Sequence, residues 1–145
     1  MSESAALMRW LEASAALQRR DWGAAAACLA PECVWTLAPT GVHFRGREAI
    51  RNFMQAGMTA GERAPPEIVA AFGTDTDGVF EYVSRGVATA GADGFAKSLS
   101  AGGVGPAVDP TPGQPYEFHV CFIFRLDQAG QISEVREYFA APPAT

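Results

Sequence analysis

The chain has 145 residues, of which 48% are hydrophobic and 19% charged, and its formal net charge is -5. This composition is typical of one globular domain with its own hydrophobic core, and it excludes an intrinsically disordered chain. An acidic chain without a basic run is not expected to bind nucleic acid. No apolar stretch reaches the roughly 18 residues of a membrane-spanning helix, and the acidic N-terminus does not have the pattern of a signal peptide. We therefore expect a single cytoplasmic domain over residues 1–145.

The first half of the chain has helical periodicity. Leucines at near-helical spacing predict a first helix over residues 4–19. Asp21 is a favourable N-cap for a second, alanine-rich helix that we expect to run through Ala30, where Pro31 would end it. A third helix is predicted over about residues 47–58, because its apolar residues share one face: Ile50, Phe53, Met54 and Met58.

Short β-type segments follow the second helix and fill the second half of the chain. Strands are predicted at residues 33–37, 68–72, 79–90, 116–127 and 131–139, and residues 42–44 are expected to pair with the first of these. The turn signal Asp-Thr-Asp-Gly between the second and third of these strands indicates a hairpin. The fourth strand alternates clearly, with one face formed by Tyr116, Phe118, Val120, Phe122, Phe124 and Leu126.

Residues 91–115 form a long segment rich in Gly, Pro, Ser and Ala between two predicted strands. Connections longer than about 12–15 residues are uncommon unless they are functional or disordered. Two interpretations are therefore open: a disordered hairpin tip, or a lid with Phe95, Leu99 and Val104 as its apolar contacts. Residues 140–145 are expected to form a frayed tail.

The order of elements predicts an α+β fold in which a curved, mostly antiparallel (mixed) sheet wraps around three N-terminal helices. Such a cone-shaped arrangement encloses an apolar cavity, which favours a small hydrophobic organic ligand as the partner. The three cysteines have no metal-ligand spacing, and the chain lacks a nucleotide or phosphate fingerprint. We expect neither a metal nor a cofactor.

Two segments resemble a known family. They are Arg45-Gly46-Arg47-Glu48-Ala49-Ile50, which opens the third helix, and residues 130–139, which end in Arg-Glu-Tyr-Phe. Together with the order of elements, they are similar to the nuclear transport factor 2-like (NTF2-like) superfamily, in particular to SnoaL-like polyketide cyclases and limonene epoxide hydrolase-like proteins. The resemblance covers nearly the whole chain apart from residues 91–115.

The resemblance implies two catalytic candidates. Glu137 matches the last-strand aspartate that is the base in the cyclases and helps to activate water in the epoxide hydrolase, and Arg85 matches an arginine of the epoxide hydrolase. Three other polar positions of that hydrolase fall on Val87, Trp35 and Leu37, so its mechanism is not expected here. The cyclase histidine on the penultimate strand falls on Phe122.

Glu137 and Arg85 have two interpretations. They could form a buried ion pair that only holds the sheet together, or Glu137 could move a proton while Arg85 stabilises developing oxyanion charge. In either case the two side chains are expected within reach of each other in the pocket. The predicted pocket lining is Trp35, Leu37, Leu11, Phe53, Met54, Val87, Tyr116, Phe118, Val120, Phe122, Val135 and Phe139.

The outer face of the sheet is expected to differ from this lining. Alternation places His119 opposite Phe118 and Val120, so His119 is predicted to be a surface or interface residue rather than a catalytic one. His119, Cys121, Ile123 and Arg125 make a mixed surface, which predicts a homodimer through this face.

Three functions remain open from the sequence. The first is a cofactor-free lyase, isomerase or cyclase that acts on an apolar carbonyl compound with a carboxylate base. The second is a non-catalytic module that binds a hydrophobic ligand. The third is a dimeric interaction protein whose pocket has no ligand. A cavity of at least about 300 Å³ would favour the first two.

Overall fold

The residues that the structure describes form three helices and a seven-stranded mixed sheet, in agreement with the predicted α+β class. The computed structural model describes residues 4–38, 40–59, 61–89 and 112–140. The elements are α1 (Ala5–Gln18), α2 (Trp22–Ala27), β1 (Leu29–Ala38), β2 (Val42–Arg45), α3 (Arg47–Thr59), β3 (Gly61–Arg63), β4 (Glu67–Gly73), β5 (Asp77–Ala88), β6 (Pro115–Leu126) and β7 (Ile132–Ala140). Two predicted segments lie largely outside the described residues. They are the long loop at residues 91–111, which includes its three apolar contacts, and the tail at residues 141–145.

The sheet has the strand order β2-β1-β7-β6-β5-β3, and β4 also pairs with β5. The predicted hairpin between the last two strands is confirmed: β6 and β7 are antiparallel, with Phe122 opposite Glu137. β1 and β7 are parallel, with Leu37 beside Glu137. This parallel pair joins the N-terminal part of the chain to its last strand, and it makes the sheet mixed rather than a simple meander.

Side-chain caps begin the first two helices. The Ser4 hydroxyl accepts a hydrogen bond from the Leu7 N–H of α1 at 3.1 Å, and the Asp21 carboxylate accepts one from the Ala24 N–H of α2 at 3.0 Å. Each bond satisfies a backbone donor that has no partner within its helix. The N-cap role predicted for Asp21 is therefore confirmed.

The predicted end of α2 is wrong. The helix ends at Ala27 rather than Ala30, and Pro31 lies within β1 instead of stopping the helix. The β1–β7 pairing shifts register between Leu29 and Val34, and Pro31 falls in that interval. A proline is tolerated in a strand where the ladder is irregular, because its missing N–H leaves no bond unmade.

The core lies between α1, α3 and the inner face of the sheet. The Trp10 ring of α1 stacks on Phe124 of β6, with ring centroids 4.4 Å apart. Phe124 in turn covers Gly78, its neighbour on β5, where a Cβ would overlap the phenylalanine ring. The Phe118, Val120 and Phe122 face of β6 is turned toward the helices as predicted. None of the helices within the described ranges is long and apolar enough to cross a membrane.

Candidate functional site

A cavity of about 300 Å³ lies between α1, α3 and the inner face of the sheet. This volume is about the 300 Å³ expected of a ligand pocket. Of the residues that the structure describes, those lining the cavity are mostly aromatic or aliphatic, and none is charged. The larger apolar side chains of the lining are Trp10, Leu11, Leu17, Leu29, Trp35, Met54, Met58, Ile68, Phe80, Phe122 and Ile132; the polar ones are Ser14, Gln18, Tyr82 and Ser84.

Four of the predicted lining residues face this cavity: Leu11, Trp35, Met54 and Phe122. Most of the others lie on the inner side of the sheet or against α3 but outside the lining. Leu37, Val120 and Val135 are buried in the core, and Phe53 packs against Trp35 with ring centroids 6.2 Å apart. Phe118 packs against Tyr116 on one side and Phe139 on the other.

The prediction for Val87 is wrong, because this side chain lies outside the cavity and is 42% exposed. Along β5 the inner positions are Phe80, Tyr82 and Ser84, which all line the cavity. Val87 is an odd number of residues from each of them, so alternation places it on the opposite face of the strand.

Glu137 lies on the inner face, as predicted. Its β6 neighbour is Phe122, which lines the cavity, and its β1 neighbour is the buried Leu37. The Glu137 carboxylate accepts a hydrogen bond from Trp35 Nε1 at 3.0 Å. Glu137 is half-buried and is not part of the cavity lining, whereas the Trp35 indole is. The carboxylate therefore lies directly behind an aromatic wall of the cavity.

The predicted Glu137–Arg85 pair does not form. Arg85 lies on the outer face of β5, where Nη1 bonds Glu67 and Nε bonds Glu117, both at 2.7 Å. Glu137 on β7 is paired with Phe122 on β6, and Phe122 is paired with Phe80 on β5. Arg85 is five positions after Phe80 on β5. An odd separation places the two side chains on opposite faces, and five residues span roughly 17 Å of strand. Arg85 is neither a buried partner of Glu137 nor an oxyanion donor in this cavity.

The outer face carries most of the charge pairs. The Arg85 guanidinium holds the pKa of Glu117 below its usual value through their hydrogen bond, and Arg125 does the same for the pKa of Asp77. His119 is exposed beside Glu117, with Nε2 3.4 Å from Oε2, and lies on the outer face as predicted. These groups are solvent-exposed, so the pairs add little to stability.

Among the described residues, the Trp10 indole N–H and the Cys33 thiol are buried polar groups. Trp10 Nε1 is a fully covered donor with no acceptor among the described residues. Burial raises the pKa of the Cys33 thiol to about 12, so this thiol stays protonated and unreactive at neutral pH. No cluster of metal-ligating side chains occurs within the described ranges.

Several cavity residues were not predicted from the sequence. They are mainly on α1 and β5: Trp10, Ser14, Leu17, Gln18, Phe80, Tyr82 and Ser84. The β5 residues follow strict alternation, with aromatic residues on one face and Glu81 and Arg85 on the other. That pattern was available in the sequence and would have placed Arg85 outside the cavity.

Comparison with known proteins agrees with this architecture. A family model described as a SnoaL-like domain matches residues 9–135, which is most of the chain. The chain belongs to the SnoaL-like family. This family lies within the NTF2-like superfamily, as the sequence resemblance implied. No curated protein matches this chain.

Solved structures share the fold at low sequence identity. A Mycobacterium tuberculosis protein in complex with estradiol-17β-hemisuccinate is 19% identical, with a TM-score of 0.66 and 93% of each chain covered. An NTF2-like protein from Burkholderia xenovorans is 19% identical, with a TM-score of 0.64 over 96% of this chain and 92% of that one. A Catenulispora acidiphila protein with a ketosteroid isomerase-like fold, in complex with trimethylamine, is 15% identical, with a TM-score of 0.63 over 91% and 85%. These likenesses establish the fold alone.

Proposed function

We propose that this SnoaL-like chain binds a compact, neutral and mainly apolar organic molecule in the cavity between α1 and the sheet. The observation that carries the proposal is the lining itself, which is aromatic and aliphatic over a volume of about 300 Å³. Transfer of apolar surface from water into such a site is favourable by roughly 25 cal/mol per Å². A charged ligand would lose its hydration without gaining a counter-charge from the described lining.

The size of the cavity favours a small ring system. Its volume lies at the lower end of the range for ligand sites, roughly 300–1,000 Å³. The aromatic rings of Trp10, Trp35 and Phe122 offer flat surfaces for such a molecule. The mycobacterial structure of this fold binds a steroid ester, which supports fused-ring compounds as the ligand class for this chain as well.

Calorimetric titration with estradiol, a neutral fused-ring probe, tests the proposal. Ser84→Phe would fill the cavity from β5, whereas Val87→Phe adds the same ring to the outer face of the same strand. We expect the wild type and Val87→Phe to bind estradiol and Ser84→Phe to lose at least about tenfold in affinity, a change of roughly 1.4 kcal/mol. Equal binding by all three proteins, or absence of binding by the wild type, would contradict the proposal.

Glu137 supports a second candidate function, a cofactor-free isomerase, cyclase or lyase. Its carboxylate lies on the inner face and contacts the Trp35 indole that lines the cavity. A carboxylate can take a proton from a carbon next to a ligand carbonyl only if it reaches that carbon, and since Glu137 lies behind the Trp35 indole, this function requires the substrate to displace the indole. Donors for the resulting oxyanion would come from the cavity side chains Tyr82 and Ser84 rather than from Arg85.

The catalytic candidate is tested with a β,γ-unsaturated ketosteroid, whose isomerisation to the conjugated ketone is followed by ultraviolet absorbance. If Glu137 is the base, Glu137→Gln should lower turnover by roughly 10²–10⁴-fold while the protein still binds the steroid. Turnover that is unchanged in Glu137→Gln would remove Glu137 from the reaction.

For assembly, we propose a two-fold dimer through the outer face of the sheet. A shallow groove of about 260 Å³ on this face is bordered by Glu81, His119, Cys121 and Tyr138, and Tyr138 is 40% exposed. The charges of Arg85 and Arg125 are already paired within the chain, so burial of this surface would not leave these cations without a partner.

A further inference from the structure

Ser84 is a small polar side chain in the part of the cavity wall that β5 forms. It is only 5% exposed, although serine is usually found at protein surfaces. Alternation along β5 places it on the same face as Phe80 and Tyr82, and all three line the cavity. Its side chain is therefore directed into the cavity from β5.

The Ser84 hydroxyl has no hydrogen-bond partner among the described residues. Unlike Trp10 Nε1, which is fully covered, the Ser84 oxygen keeps some accessible surface. A buried hydroxyl is normally paired, because leaving it unpaired in an apolar environment is unfavourable. Here the cavity is the direction from which a partner can approach. A purely hydrocarbon ligand would displace solvent from the hydroxyl and offer no hydrogen bond in return.

We propose that Ser84 is a specificity-determining residue that hydrogen-bonds a single neutral polar group, such as a ketone, on an otherwise apolar ligand. The inference rests on the proposed binding function and specifies the chemistry of its ligand. A ketone oxygen accepts from the serine O–H without bringing a charge into a lining that has no described counter-charge.

The other unpaired hydroxyl of the described lining provides a control. Ser14 lies on α1, which forms the opposite wall, and its side chain is only half-buried. Solvent can continue to hydrate a half-buried hydroxyl when a ligand binds, so its pairing contributes less to discrimination between ligands. Ser84→Ala and Ser14→Ala each remove one oxygen atom, and alanine is compatible with both backbone positions.

Two ligands that differ by one carbonyl group test the inference. α-Tetralone is a neutral two-ring ketone, and tetralin is the same ring system without the carbonyl oxygen. Their affinities are measured by calorimetric titration for the wild type, Ser84→Ala and Ser14→Ala. We expect the wild type to bind α-tetralone about tenfold more tightly than it binds tetralin. In Ser84→Ala this preference for α-tetralone should be lost, and tetralin should bind at least as tightly as it binds the wild type. Ser14→Ala should retain the wild-type preference.

The infrared carbonyl stretch of bound α-tetralone gives a second readout that a merely structural role of Ser84 would not change. A hydrogen bond from Ser84 should lower this frequency in the wild type and in Ser14→Ala, and Ser84→Ala should restore it. A preference for α-tetralone that persists in Ser84→Ala, or that disappears in Ser14→Ala instead, would overturn the inference while leaving the binding function intact. If neither compound binds the wild type, the proposed function is contradicted and the inference fails with it.

Discussion

Removal of the Glu137 side chain should destabilise the fold through Trp35. The Trp35 indole is 4% exposed, and its Nε1 donates to Glu137 Oε1 at 3.0 Å. Glu137→Ala leaves this buried donor without that acceptor, which costs about 1–3 kcal/mol. Glu137→Gln keeps an oxygen acceptor and loses only the charge-assisted part of the bond, so its cost should be smaller, about 1 kcal/mol.

Thermal unfolding at neutral pH measures both effects. For a domain of this length, 1 kcal/mol corresponds to a shift in Tm of roughly 2–8 °C, so Glu137→Ala should unfold several degrees below the wild type and Glu137→Gln in between. Arg85→Ala is the matched control, because it removes a charged side chain whose ion pairs are exposed, and its Tm should barely change. A Tm for Glu137→Ala within about 1 °C of the wild type, or a larger loss in Arg85→Ala, would refute this assignment of the two residues.

Three further predictions concern packing, reactivity and assembly. Gly78→Ala should lower the free energy of unfolding, measured by chemical denaturation, by about 1–3 kcal/mol because the new methyl overlaps the Phe124 ring. Gly23→Ala in α2 is the control and should raise the free energy of unfolding slightly. A Gly78→Ala protein that is more stable than Gly23→Ala would contradict the packing of Phe124 on Gly78. Cys33, whose pKa burial raises to about 12, should be alkylated at pH 8 far more slowly in the folded protein than in protein unfolded by denaturant, as peptide mass spectrometry can measure. Comparable rates in the two states would contradict a buried thiol. Light scattering at tens of micromolar should give the mass of a dimer, and a monomer mass would remove the proposed interface.

Much of the fold could be predicted because its signals are local. The alternation of β6 fixed which of its faces meets the helices, and the Asp21 cap located the start of α2. The parallel contact between β1 and β7 depends on residues about 100 positions apart, such as Leu37 and Glu137, and no local pattern encodes such a pairing. The three-residue strand β3 has no detectable periodicity, and it was missed for that reason.

The candidate site was predicted less well because it depends on how strands face one another. Glu137 was placed on the correct face because it shares a face of β7 with Val135, and the family resemblance turns that face inward; Val135 is indeed buried. Arg85 was misplaced because the family resemblance matches residues by type and does not reflect the alternation of β5, in which Phe80, Tyr82 and Ser84 occupy the inner face. A residue that matches a family position by type does not share its role when its strand turns it toward solvent.

The central claim is that the cavity between α1 and the sheet is the ligand site. It is tested most directly by titrating isotope-labelled protein with estradiol and mapping the NMR shift changes and ligand–protein nuclear Overhauser effects. The account predicts that both will concentrate on cavity residues such as Trp10, Ser84 and Phe122. Effects confined to the outer groove around Glu81 and Tyr138 would contradict it, because they would place the ligand on the opposite face of the sheet.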